Sequence, residues 1–251
     1  MAMLAMFATS FVACDKGDED NSGDNGNVNV NVNTDVVDLC LPSGIKWATC
    51  NVGATNPWDY GNYYAWGETQ AKSKYHWDTY KYCNATKNSL TKYNNAASNG
   101  TIDNKTTLEP ADDVATAVCG ADFSMPTTAD WDELSNQCYW VWTNNYNGQN
   151  VSGYIVYHAK SDGDKGVKVY VDGTALDSYS LSDVHIFLPA AGYRFNSGLY
   201  FAGGAGHFWS SSLYGHDPSG ARYSNFNSNN VYPSSHDDRC NGLSVRPVKR
   251  P

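Results

Sequence analysis

Downstream of Asp35 two short stretches carry helical periodicity, and the rest alternates brief apolar runs with turn residues. That pattern reads as an α+β mixture, two helices followed by strands and loops. The first helix is expected from Pro110, a residue suited to the first helical position, with Val114, Ala117 and Val118 as its apolar stripe and Gly120 closing it. The second begins at a Thr127 or Thr128 cap and lines up Trp131, Leu134 and Cys138 at i, i+3 and i+7. Asp130, Asp132 and Glu133 fall in its first turns, where carboxylates favour the helix dipole. GIKWATCNVGA reads as a strand with Ile45, Trp47 and Thr49 to one side. SGYIVYHAKSDGDKGVKVYVDG reads as hairpins turning at Asp162-Gly163 and Asp172-Gly173. VHIFLPAAGYR reads as a buried strand ending in a turn, and GLSVRPV as a terminal strand in which Leu243 and Val245 alternate with Ser244 and Arg246.

The N-terminal residues are of another kind. Residues 1–14, MAMLAMFATSFVAC, form an apolar run without a basic leader and end in Phe11-Val12-Ala13-Cys14. Small residues before a Cys resemble the lipobox of bacterial lipoproteins, which implies Cys14 as a lipidated N-terminus and the outer membrane as the partner of that anchor. The following DKGDED resembles the acidic export signal of Bacteroidetes-type surface lipoproteins. Residues 15–35 read as an acidic, Asn-rich tether, despite the strand-like alternation of Val28, Val30 and Val32.

A net charge of −9 argues against nucleic acid as a partner, because phosphate backbones are met by clustered Lys and Arg. With 14% aromatic and 17% charged residues the chain has enough apolar material to fold. Its 18 Tyr, together with abundant Asn, Ser and Gly, form the palette of binding loops. Six Cys (40, 50, 83, 119, 138 and 240) permit disulfides, and spacing does not choose among their pairings. Without CxxC or HExxH, and with the six His scattered, no metal or cofactor is expected. Asp162 and Asp164 lack the ligand set of a calcium loop and read as a turn.

Seven segments in order, DLCLPSGIKWATCNVGA, DYGNYYAWGET, KTTLEPADDVA, FSMPTTADWDEL, IFLPAAGYR, GHFWSSS and GLSVRPV, resemble the Fibrobacter succinogenes major paralogous domain. That family is similar to the C-type lectin-like fold of the formylglycine-generating enzymes. The resemblance runs from Val36 to Val248, so residues 36–251 are expected to form one C-type lectin-like domain with its terminal strands adjacent. Cys40 departs from the family's usual Gly, and Phe123 from a more usual Trp-Arg. Formylglycine chemistry needs a reactive Cys pair late in the chain, and Cys240 alone follows Cys138, so an enzyme is not expected.

Between Ser210 and Asn241 there is no Lys, Glu, Gln, Met or Trp, although these types supply 31 of the 251 residues and about four would be expected. The five share one property: no codon ending in a pyrimidine encodes them. Rewriting the adenines of an AAC codon reaches Ser, Tyr, His, Asp, Cys, Arg, Gly and Leu but none of the five. This is the imprint of a diversity-generating retroelement, and residues 207–248 resemble the variable region of such target proteins. The resemblance implies a framework of Trp209, Ser210, Ala221, Phe226, Val231, Pro233, Arg239, Gly242 and Ser244. The ligand-contacting positions it implies are Tyr214, His216, Asp217, Arg222, Tyr223, Asn225, Tyr232, Ser234, Ser235, His236, Asp237, Asp238, Cys240 and Asn241. All of these except Asp217 and Arg222 are expected on one exposed patch, with Phe226 and Val231 pointing inward. Arg239 and Arg246 read as scaffold, each guanidinium tying several carbonyls. The function expected is a surface-anchored binder of an extracellular ligand, protein or glycan; the alternative is a non-diversified adhesin or fimbria-associated module of the same family.

Overall fold

The computed structural model describes residues 33–170 and 178–251. Cys14 and the rest of residues 1–32, like the Asp172-Gly173 turn signal, lie outside the described residues. In the first half, β1 (Val36–Val37), β2 (Lys46–Ala48), α1 (Val114–Cys119), β3 (Phe123–Ser124) and α2 (Thr128–Gln137) are joined by long irregular stretches. Then come β4 (Cys138–Thr143), β5 (Gly153–His158), β6 (Lys168–Val169), β7 (His185–Pro189), β8 (Tyr193–Phe195) and β9 (Gly198–Tyr200). The chain ends with β10 (Ala205–Leu213), β11 (Gly220–Asn227), β12 (Asn230–Asp238) and β13 (Val248–Lys249). The architecture of the described residues is α+β: two α-helices among small, largely antiparallel sheets.

The two ends of the domain are neighbours. β13 lies between β2 and β3 in a sheet of order β1-β2-β13-β3, with Trp47 opposite Val248. Nearby, Val52 N donates to Val245 O at 2.9 Å. Order begins before β1, since Asp35 O accepts from Thr49 N at 2.9 Å.

α2 forms as its sequence dictates. The Thr127 side chain accepts from Asp130 N while the Asp130 carboxylate accepts from Thr127 N, a reciprocal capping box. Trp131 and Leu134 are buried on its inner face. α1 differs from expectation. Asp113 caps it by accepting from Ala115 N and Thr116 N, so the α-helix starts at Val114 and Pro110–Asp112 form a separate 3₁₀ turn. The shift turns Ala115 inward and leaves Ala117 exposed.

The expected hairpin between β5 and the VKVYV run does not form. β5 is flanked by β4 and β7, so both of its edges are taken, and β6 pairs with β4 in parallel. GLSVRPV is no alternating strand either: Ser244 and Arg246 are as buried as Leu243 and Val245. The segment threads the interior, where both sides meet protein and a period of two loses its meaning.

Two hydrophobic clusters sandwich the sheet β10-β11-β12. Phe208 and Trp209 are consecutive in β10 and therefore face opposite ways. Phe208 joins Phe226, Trp131, Trp47 and Tyr154; Trp209 joins Leu213, Ala221, Trp66 and Tyr64. Gly206 is required where it stands, because a Cβ there would sit 2.1 Å from the Phe226 ring. Twelve of the 18 tyrosines are buried, so most of the presumed binding palette is core. The six cysteines from Cys40 to Cys240 are free thiols.

Arg246 is fully buried. Its Nε donates to Asn51 Oδ1 (2.9 Å), one terminal nitrogen to the carbonyls of Ala48 (2.9 Å) and Thr49 (2.5 Å), and the other to Phe187 O (2.8 Å). Burial lowers its pKa to about 10. Arg246→Met would leave these acceptors without a donor, at about 1–3 kcal/mol for each that stays buried and unpaired. Urea unfolding should show a loss of more than about 3 kcal/mol; a loss below about 1 kcal/mol would mean the acceptors find other donors.

Candidate functional site

The segment expected to vary is a regular hairpin with a turn on each side. β10 runs into the Tyr214–Ser219 turn, which closes through Tyr214 N to Gly220 O (3.2 Å) and Gly220 N to Asp217 O (3.0 Å). β11 then occupies the centre of the sheet and β12 its edge. Ser234-Ser235-His236-Asp237-Asp238, shapeless as sequence, is therefore strand. Along β12 exposure alternates strictly, with Tyr232, Ser234, His236 and Asp238 exposed and Val231, Pro233, Ser235 and Asp237 half-buried. A bulge sets Pro233 and Ser234 opposite Ser224, because Tyr232 pairs with Asn225 and Ser235 with Tyr223.

Directly opposed residues share a face of the sheet and successive residues alternate, so the positions expected to vary divide into two groups. On one face His236 stands opposite Arg222, and the Tyr214 ring stacks on His236 at 3.9 Å with an interplanar angle of 10°. The Arg222 guanidinium lies 4.7 Å from the Tyr214 centroid, and exposed His216 meets Tyr214 edge-on at 5.5 Å. Asp217 is exposed in the same turn. On the other face Asn225 Nδ2 donates to Tyr223 Oη (2.9 Å) and Ser235 Oγ (3.2 Å). Asp237 lies opposite Ala221 and accepts from Asn241 Nδ2 at 3.0 Å. Burial pushes the Asp237 carboxyl up, opposed by the hydrogen bonds from Asp238 N and Asn241.

The expectation of one exposed patch is thus corrected. Cys240 is 1% exposed inside a hydrophobic cluster, with its thiol pushed up by burial, and Asn241 is 6% exposed and braces Asp237. Tyr223, 9% exposed, packs edge-on to Trp209 and its pKa is raised by burial. These three belong to the interior because β11 is the central strand and the chain dives inward after Asp238. Of the implied framework, Trp209, Ser210, Ala221, Phe226, Arg239, Gly242 and Ser244 are buried, while Val231 and Pro233 are half-buried.

The sequence reading missed the neighbours of the second group. His207 stacks on Tyr223 at 5.6 Å and meets Tyr193 at a tilt at 5.1 Å, and Tyr193 continues to Tyr200 (5.8 Å) and Phe201 (6.1 Å). His207 Nδ1 is buried without a partner, and burial lowers the ring's pKa to about 4, so it is neutral at physiological pH. Tyr200 at the end of β9 is 45% exposed and Phe201, just beyond it, 66%, an apolar flank joined to Tyr223 through Tyr193 and His207. Its signal was present in YRFNSGLYF: apolar residues on both sides of an Asn-Ser-Gly turn.

Among the described residues no three of His, Cys, Asp and Glu converge as metal ligands, and no helix is long and apolar enough to cross a membrane. No family model, curated protein or solved structure matches this chain.

The burial pattern separates two tyrosines that the sequence treated alike. Tyr223→Ala removes a ring from the interior and should cost about 3–5 kcal/mol. Tyr232, 51% exposed, should change stability by less than about 0.5 kcal/mol when replaced by Ala. Chemical denaturation of the two variants checks this, and equal losses would overturn the division into core and surface.

Proposed function

We propose that the chain is a surface-anchored binding protein that displays a diversified site on a C-type lectin-like scaffold, attached to the outer membrane through lipid on Cys14. The observation that carries the reading is the absence of Lys, Glu, Gln, Met and Trp from Ser210–Asn241, a span covering the turn, β11 and β12. Geometry supports it in part. The outward side chains of β12 and of the Tyr214–Ser219 turn can change without touching either hydrophobic cluster, as a tolerated surface requires. The contact set reduces to the exposed and half-buried members: Tyr214, His216, Asp217, Arg222, Asn225, Tyr232, Ser234, Ser235, His236, Asp237 and Asp238. Aromatic faces beside amides, hydroxyls and carboxylates suit a protein or glycan ligand.

Binding rather than catalysis is the activity proposed. Cys240, the sole cysteine after Cys138, is buried with its thiol pushed up, the reverse of an activated nucleophile. A second reading, a non-diversified adhesin or fimbria-associated module, is favoured by the burial of Tyr223, Cys240 and Asn241 and by the split of the varied residues over two faces.

Deep sequencing of the gene from a bacterial population separates the two readings. Diversification predicts nucleotide changes confined to adenine positions in the codons of the contact set, beside a reverse transcriptase gene and a near-copy of the 3′ end. Changes spread evenly over residues 36–251 would leave the adhesin reading. The anchor has its own test: Cys14→Ser should move the protein from the membrane fraction to the medium, and retention in the membrane would reject lipidation at Cys14.

A further inference from the structure

β8 sends consecutive side chains in opposite directions. Tyr193 joins the aromatic flank described above, and Arg194 enters a cleft of about 530 Å³ on the other side. The strand is fixed there by a reciprocal pair, Arg194 N to Gly242 O (2.7 Å) and Gly242 N to Arg194 O (2.9 Å). None of the varied positions lines this cleft.

The five arginines have different employments. Arg239 and Arg246 are bound to interior carbonyls, Arg250 pairs with Asp130 at 2.7 Å, and Arg222 lies over Tyr214. Arg194 is half-buried, with its guanidinium 5.1 Å from the Tyr63 centroid. Among the described residues it has neither a carboxylate partner nor a hydrogen-bond acceptor. The one other cation of the cleft, Lys72, is already satisfied by Glu68 (2.9 Å) and Thr79 O (2.9 Å). No Asp or Glu lines the walls. A protein of net charge −9 therefore presents, at this cleft, a guanidinium fork without its anion.

The rest of the lining narrows the ligand. Ser73 and Ser197 are exposed and their hydroxyls bond nothing among the described residues, while Asn62 supplies an amide. Ala71 is the sole aliphatic side chain in the wall and the Tyr63 and Tyr75 rings that also line it are buried, so an apolar acid would find little exposed surface to pack against. The volume lies within the range of small-molecule sites, roughly 300–1,000 Å³. A planar carboxylate matches the guanidinium fork in two parallel hydrogen bonds, and ring hydroxyls match serine and amide groups. We propose that this cleft is a second binding site, taking the carboxylate of an acidic sugar of the uronic acid class on Arg194. The proposal is independent of the varied surface.

Titration calorimetry of the full chain with glucuronate, glucose and inorganic phosphate tests it. Glucuronate should bind at least tenfold more tightly than glucose and weaken as salt rises, because the pairing is partly solvent-exposed. R194Q should lose at least tenfold in affinity, and R194K, with charge but no fork, should fall between. Ala71→Trp fills the cleft from an exposed position while leaving the Arg194 side chain chemically intact, and should abolish binding, which decides the matter even if R194Q fails to fold. Tyr232→Ala should leave glucuronate affinity unchanged, so failure here is distinct from failure of the diversified-surface reading. Equal affinity for glucose and glucuronate, displacement by equimolar phosphate, or unchanged binding in both R194Q and A71W would overturn the assignment.

Discussion

Two guanidinium groups in the dry interior, Arg239 and Arg246, set the terms on which the irregular half of this chain folds. Between β2 and α1 lie some of the longest stretches without strand or α-helix, and their carbonyls need donors that no ladder supplies. Arg239 gives Nε to Tyr80 Oη (2.9 Å), one terminal nitrogen to the carbonyls of Tyr93 and Pro218 (2.9 Å each), and the other to Lys92 O (3.0 Å). Its charge rests beside the faces of Trp66 (5.0 Å) and Tyr80 (5.2 Å). Burying a charge costs several kcal/mol unless its donors are matched, and here the acceptors and the ring faces offset that cost together. Arg246 is matched by acceptors alone, where the chain ends meet.

The aromatic richness follows from the same need. A loop-built core wants side chains that bury a large apolar area and also donate one hydrogen bond. Tyr63 Oη donates to Ala191 O (2.5 Å), Tyr75 Oη to Tyr63 O (2.5 Å) and Tyr80 Oη to Trp66 O (2.7 Å). Trp66 Nε1 reaches Ser210 O (2.8 Å), and Trp209 Nε1 reaches Tyr64 O (2.7 Å), which fastens the loops to β10. Composition read as a binding palette was thus largely a scaffold solution, and the sheet it supports is packed on both faces along β10 and β11.

What could be read from the sequence was whatever obeys one period and one punctuation. α2 was legible because its cap, its first-turn acids and Trp131 and Leu134 agree, and β7 because an apolar run ends at the turn marked by Gly192. β4 was not, since Cys138 closes the helix and opens the strand with no turn between them. Ser244 and Arg246 misled because alternation reports one wet face, and their segment has none. At the site, the residues expected to vary were legible as a composition, but composition carries no direction: Tyr223 and Tyr232 are both Tyr, and the central and edge positions of their strands make one core and the other surface. The cleft at Arg194 left no mark at all, because Ala71, Ser73 and Arg194 are brought together by the Tyr75–Asn196 bridge rather than by proximity in the chain.

An edge strand with outward side chains raises a hazard that the fold answers. Unpaired backbone groups along β12 would recruit another strand whenever the side chains beside them turned apolar. Pro233 lacks an N–H, and the bulge it shares with Ser234 breaks the flat register opposite Ser224. Both devices are backbone features, so they do not depend on the side chains of Tyr232, Ser234 or His236. Val231 and Phe226 pin the same end of the hairpin to the cluster around Trp131 and Trp142. Arg239 pins the other, one residue beyond Asp238. The strand is held at its two ends and broken in its middle, which separates the fixing of its course from the choice of its outward side chains.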